Sequence, residues 1–358
     1  ETGRILVQRG GRVNIRNNAH LTAIKCNEIM WRGIEVQGHP FMSTYSNSHQ
    51  GLCHISGSKI SPAVNGITSS SLVNDDIGNY FYHGGRIYAY SSTFENNRRD
   101  INVTPFNYNN WHHAISNNQF LCTAPIKDPN REYAEHIRAE WNKNVSVRNN
   151  LFETVFQDQR TAVATETAQL YFTNNEVRNY SVGVSSTSMN ATYSVNCTNN
   201  TFDNNQIGTH VTNVDYSIFK NNTYTNILSI GAYFDECTGY EITENEFRGN
   251  NGSPYTFGTA IFDSNIDLNL GRENHIYKNE YYDLGIGIAP GYRNFSPGYV
   301  PVDINGTVTY VDNPGLFIQC NKFERSLRAD VYVEGFDERI HGIRKFHGQC
   351  IDNPNSEE

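Results

Sequence analysis

The chain has 358 residues, 37% of them hydrophobic and 12% aromatic, with 47 Asn, 28 Gly and a formal charge of −9. The aromatic content excludes a disordered polymer, and the acidic balance excludes an electrostatic footprint for DNA or RNA and disfavours unaided binding of a strongly acidic polymer. No apolar run approaches the ~18 residues of a membrane span, and seven cysteines without a CxxC pair or a His/Cys cluster argue against zinc or iron–sulfur, so no cofactor is expected.

In chain order, Glu-Thr-Gly reads as a processing scar ahead of a strand at Ile5-Leu6-Val7, and VNIRNN near Val13 as a first, irregular coil. A period then emerges. Ile60 and Phe94 open a series of apolar anchors that continues through Phe120, Phe152, Val177, Phe202, Tyr224, Phe247, Tyr281 and Phe323, most of them closing an Asn-x-Φ motif. From Phe94 the gaps are 26, 32, 25, 25, 22, 23, 34 and 42, a unit of 22–26 residues with insertions. Five positions before every anchor lies an apolar residue, as at Ala89, Ile115, Val147 and Ile242, and seven before most are apolar too. Four before, residues such as Ser116, Arg148 and Thr173 are polar. That alternation is the period of a half-buried strand.

The Asn pair before many of these anchors predicts a bend, because asparagine tolerates left-handed backbone and its amide can bond the amide above and below. Gly66, Gly183, Gly208 and Gly287, each six past an anchor, would open a close-packed third strand. Cys53 and Cys197 should point into the core. A leucine-rich solenoid is disfavoured by only 13 Leu, and a propeller by its blades of about 40–50 residues. The pattern predicts an all-β, right-handed parallel β-helix, a single solenoid over residues 1–335 with irregular coils over 1–50 and a cap or tail at 336–358. Longer loops are expected near 68–85, 103–113, 123–132, 252–272 and 290–314.

MWRGIEVQG (Met30 to Gly38), HQGLCHISGSKISPAVNGI and GGRIYAYSSTFENNRRDI together resemble the β-helix region of secreted or surface proteins of Bacteroidota, many exported by the type IX secretion system. The resemblance implies an extracellular or cell-surface location, an adhesin-like or carbohydrate-handling role, and a polysaccharide or surface glycan as partner. The tail QCIDNPNSEE suggests a piece of a longer surface protein.

β-Helices often host polysaccharide lyases and glycoside hydrolases, and a uronate lyase would bring Ca²⁺ held by acids of adjacent coils together with a basic residue. The ordered motifs of a polygalacturonase are not met: Asp75-Asp76 and His83 have no partner motifs at workable spacing. The remaining catalytic candidates are Asp100 and Asp158, each six past an anchor, with Arg98, Arg99 and Arg160 beside them. Their alternative reading is a charged rim at a turn. REYAEHIRAEW reads as a strand with Tyr133, Ile137, Ala139 and Trp141 on one face and His136, Arg138 and Glu140 exposed, leaving Glu135 unexplained, while His112-His113 reads as a coil corner. Tyr292, Phe295 and Tyr299 in PGYRNFSPGYVP form a candidate glycan-binding loop, or a surface loop packed on its own aromatics. Two functions follow: a non-catalytic extracellular module for glycan or surface-partner binding, or a carbohydrate-active enzyme working in a groove along one sheet.

Overall fold

The computed structural model describes residues 3–346 apart from the stretches 24–29, 43–45, 71–81, 107–112, 126–133, 157–159, 190–192, 251, 263, 265–273, 292–297, 305–306, 314–315 and 333–342. The chain is a right-handed parallel β-helix in which each coil gives one strand to each of three parallel sheets. Two compact units divide it, residues 1–186 and 187–358.

In the first unit the second sheet runs in the order Arg12–Ile15, Leu52–Ser56, Arg86–Tyr90, His113–Ser116, Val145–Arg148 and Leu170–Thr173. The residues five before the anchors fall into one register, Ile55 on Ala89 on Ile115 on Val147 on Phe172. The anchors share another, Ile60 on Phe94 on Phe120 on Phe152 on Val177. Their rings stack, Phe94 on Phe120 at 5.1 Å and Phe120 on Phe152 at 4.7 Å. The second unit repeats the scheme: Phe202, Tyr224, Phe247, Tyr281 and Phe323 stack at 4.6–5.0 Å between centroids. Parallel strands meet every ~4.8 Å, so identical rows of rings fall into offset stacks without strain. Cys53 and Cys197 are fully buried.

Where a bend carries two asparagines, they divide the work. The first takes left-handed backbone, as at Asn117 (φ 57°), Asn149 (54°), Asn174 (55°), Asn199 (56°) and Asn221 (54°). The second is buried and bonds from coil to coil. Asn118 donates to the Asn150 amide oxygen at 3.1 Å, and Asn150 to that of Asn175 at 3.0 Å. In the second unit Asn200, Asn222, Asn245, Asn279 and Asn321 form the same row at 2.9–3.1 Å. Asn118, Asn150, Asn175, Asn222, Asn245, Asn279 and Asn321 also donate to the carbonyl five before the preceding anchor, as Asn150 does to Ile115 at 3.1 Å. The bend is therefore a structural device that seals the polar groups of a corner inside the coil.

The glycine column also has a steric cause. A Cβ on Gly231 would lie 2.6 Å from the Gly258 carbonyl oxygen and 2.6 Å from the Phe247 ring, and one on Gly208 2.5 Å from the Tyr224 ring. In these coils glycine lets the strand lie directly against the aromatic stack.

Several expectations are corrected by the structure. His136 is buried, at 1% exposure, because the first-sheet strands turn inward with two consecutive residues, here His136 and Ile137. Trp141 is half-buried at a corner with φ 47°, off the face shared by Ile137 and Ala139. His113 sits in the strand His113–Ser116, fully buried, and not at a corner. Glu135 is accounted for by ion pairs to Arg99 at 2.8 Å and Arg138 at 3.4 Å. The 290–314 loop carries an antiparallel pair, Gly298–Ile304 with Thr307–Asn313, and the strand Ile343–Phe346 pairs with Leu316–Gln319.

Candidate functional site

Two polar features of the first unit carry chemistry, one inside the coil and one on its outer surface. The inner one collects two of the sequence candidates. Register places Asp100 beside Gly66 and His136 beside Asp100, in the glycine column. Asp100 (1% exposed) accepts from the Asn97 amide at 2.7 Å and holds His136 Nδ1 with its other oxygen. His136 Nε2 pairs with the Tyr180 hydroxyl at 2.7 Å. Arg160 (2% exposed) meets His136 Nε2 at 3.4 Å and Cys122 Sγ, and donates to the carbonyls of Asn97 at 3.2 Å and Arg98 at 3.4 Å. Burial lowers the Arg160 guanidinium to about 10, with Asp100 opposing the shift. His136 packs its ring 6.0 Å from Phe120 and 6.1 Å from Phe152, under the aromatic stack.

The structure thus brings Asp100 and Arg160 together, in an interior that a polymer cannot enter. Arg98 is half-buried and Arg99 is tied to Glu135, while Asp158 lies outside the described residues. Tyr292 and Phe295 also lie outside them, and the backbone of Tyr299 pairs opposite Asp312. One signal for burial was present in the sequence: Asp100 occupies the same slot, six past its anchor, as Gly66 and Gly208. A residue in a glycine slot faces the ring stack and not the rim.

The outer feature is the solvent face of the second sheet in the same unit. Inward positions are filled by Cys53, Ile55, Ile87, Ala89, Val145 and Val147, so the alternate residues face out. One outer row is Asn14, His54, Tyr88, Ala114, Ser146 and Tyr171. Beside it run Ser56, Tyr90, Ser116, Arg148 and Thr173, with Arg16 following Ile15 at the near end. On the other flank Arg12, Leu52 and Arg86 are in register. His54 meets the edge of Tyr90 at 5.7 Å between centroids, and Tyr88 lies 6.5 Å from Tyr90. All three rings are half-buried, with one side open to water. Arg16 Nη2 lies 3.3 Å from His54 Nδ1, and Arg86 Nη2 donates to Asn47 at 3.0 Å.

These rows contain no Asp or Glu. His54 is held below its ordinary value of 6.5 first by burial, then by the charges of Arg16 and Arg12, so its imidazole is neutral at pH 7. Tyr90 is raised by burial and by Tyr88. The surface can present aromatic faces to a sugar ring and guanidinium N–H groups to its oxygens. Among the described residues, no group of three or more His, Cys, Asp or Glu side chains is arranged to hold a metal ion.

No family model and no curated protein matches the sequence. Among solved structures the chain is similar to a periplasmic alginate epimerase, at 12% identity over 93% of this chain and 76% of that one, with a TM-score of 0.43. It is also similar to a surface adhesin of Streptococcus pneumoniae, at 11% identity over 94% and 83%, TM-score 0.41. A third is tailspike protein 3 of bacteriophage CBA120, at 12% identity over 95% and 55%, TM-score 0.37.

Proposed function

We propose that this chain is a non-catalytic, extracellular glycan-binding module of adhesin type, and that the outer face of the second sheet in residues 1–186 is its contact surface. The observation that carries the reading is the pair Tyr88 and Tyr90, with His54 beside them, standing on the solvent side of a rigid sheet. A folded chain gains little by leaving such rings on a wet face, whereas a sugar ring laid on them buries apolar area on both partners. Sheet positions need no ordering on binding, which keeps the entropic cost low. Cys320 is disulfide-bonded, in keeping with an oxidising compartment and a surface location. The type IX export route suggested by the sequence resemblance belongs to the same reading.

The test is co-sedimentation with a panel of insoluble neutral and acidic polysaccharides, comparing wild type with a Tyr88→Ala/Tyr90→Ala double variant. Retention on at least one polymer, lost in the variant, supports the reading. Turnover, seen as new reducing ends in the supernatant, would replace it with the enzyme alternative.

A further inference from the structure

The outer face described above has a charge pattern unlike the rest of the unit. The whole chain carries 28 Lys and Arg against 37 Asp and Glu. Yet Arg12, Arg16, Arg86 and Arg148 share this one sheet face with no carboxylate between them. Elsewhere in the unit five arginines are matched by carboxylates: Arg4 and Arg32 with Glu35, Arg99 with Glu135, Arg138 with Glu140 and Glu166, Arg178 with Glu176. Among the described residues the four on this face have no ion pair. Arg86 and Arg16 are steadied by Asn47 and His54 and keep further N–H donors for a ligand.

From this geometry we infer that the face takes a carboxylated polysaccharide, a polyuronate, lying across the strands; the inference rests on the glycan reading above. Guanidinium forks fit carboxylates in a bidentate way that neutral hydroxyls do not require. Arg12 and Arg86 lie two strands apart, as do Tyr90 and Arg148, so a polymer crossing the sheet meets an arginine or a tyrosine every one or two strands, at ~4.8 Å per strand. The overall −9 charge does not oppose this at close range, because charges more than about 8 Å away are screened at physiological salt. A single-stranded nucleic acid would also stack on aromatics and pair with arginines. Both polymers carry about one charge per residue, and the extracellular glycan reading above favours the polysaccharide.

The experiment is isothermal titration of the full chain with polygalacturonate, with the fully methyl-esterified polymer, and with an oligothymidylate. Esterification keeps the sugar backbone and removes the charge. Arg86→Gln/Arg148→Gln, Tyr88→Ala/Tyr90→Ala and, on another face, Arg178→Gln are compared; Arg148 is exposed, so its single variant serves if the double variant folds poorly. At about two- to fivefold per exposed arginine–carboxylate contact, the arginine pair should lose about four- to 25-fold toward polygalacturonate and little toward the ester. Added NaCl should weaken the polygalacturonate complex only. The tyrosine variant should weaken both polymers, and Arg178→Gln neither. Equal affinity for acid and ester would overturn the inference while leaving glycan binding intact. Tighter binding to the oligothymidylate than to polygalacturonate would also overturn it. If neither pectin form binds, the inference fails, and binding to the neutral members of the wider panel then decides whether the glycan reading survives.

Discussion

Asn221 and Asn222 are adjacent, identical in chemistry and opposite in role, so substituting each by alanine separates the two functions of the bend. Asn222 is 1% exposed. Its Nδ2 donates to the Cys197 carbonyl at 2.8 Å and to Asn245 Oδ1 at 3.0 Å, and its Oδ1 accepts the Asn200 backbone N–H at 3.0 Å and the Asn200 side-chain N–H at 2.9 Å. Asn222→Ala removes all four. Asn245 Oδ1 keeps the Asn222 backbone N–H at 2.9 Å, but the Cys197 carbonyl and two N–H groups of Asn200 lose these bonds in the interior. At about 1–3 kcal/mol per buried group so deprived, with some relaxation, the loss should be about 3–6 kcal/mol. At ~2 °C per kcal/mol for a chain of this size, the melting temperature should fall by roughly 6–12 °C. Asn221 is exposed with φ 54°; Asn221→Ala should cost only the left-handed penalty, about 1 kcal/mol, and Asn221→Gly close to nothing. Differential scanning calorimetry and urea unfolding measure both. Equal losses for the two alanine variants, or a loss below 1 kcal/mol for Asn222→Ala, would refute the assignment of the buried row to stability.

Gly231→Ala should destabilise by about 3 kcal/mol, read in the same urea titration, since its new methyl meets both the Gly258 carbonyl oxygen and the Phe247 ring. Asp100→Ala should cost about 3–5 kcal/mol by stripping His136 and Asn97 of their buried partner. The folded fraction should nevertheless bind polysaccharide as wild type does; lost binding would make the interior cluster part of the site. Burial pushes the Cys53 and Cys237 thiols from 9.0 up to about 12. Folding therefore retains protons that the unfolded chain releases: the stability is fully present below pH 9 and is lost as pH rises toward 12, at about 1.4 kcal/mol per pH unit per thiol. Urea midpoints at pH 8 and pH 10.5 check this, and Cys53→Ala should show a shallower decline than wild type.

The architecture was legible because its cause repeats. An apolar residue five before each anchor and asparagine two before most of them are consequences of one coil cross-section, and each recurrence is a separate test. Residues that break the repeat were harder to read. Asp100 and His136 stand where other coils place glycine, and strand alternation alone put His136 outside; the inward turn of two successive residues at that corner is a backbone feature that period-2 reasoning does not contain. Glu135 was opaque because its partner Arg99 lies one coil back, 36 residues away in sequence. The arginine face could have been found by reading the outward positions, four, six and eight before each anchor, down the coils rather than along them. Arg86, Tyr88, Tyr90 and Arg148 occupy such positions. What no sequence pattern supplies is which arginines are already neutralised, since that depends on carboxylates brought near by the stacking of coils.

The most direct test of a glycan-binding face is hydroxyl-radical footprinting of the chain with and without a retained polysaccharide, read by mass spectrometry at each tyrosine. Protection confined to Tyr88 and Tyr90, extending to Tyr171, with Tyr233, Tyr255 and Tyr277 of the second unit unchanged, is the predicted result. Protection of the second-unit tyrosines, with Tyr88 and Tyr90 oxidised as fast as in the free protein, would contradict it.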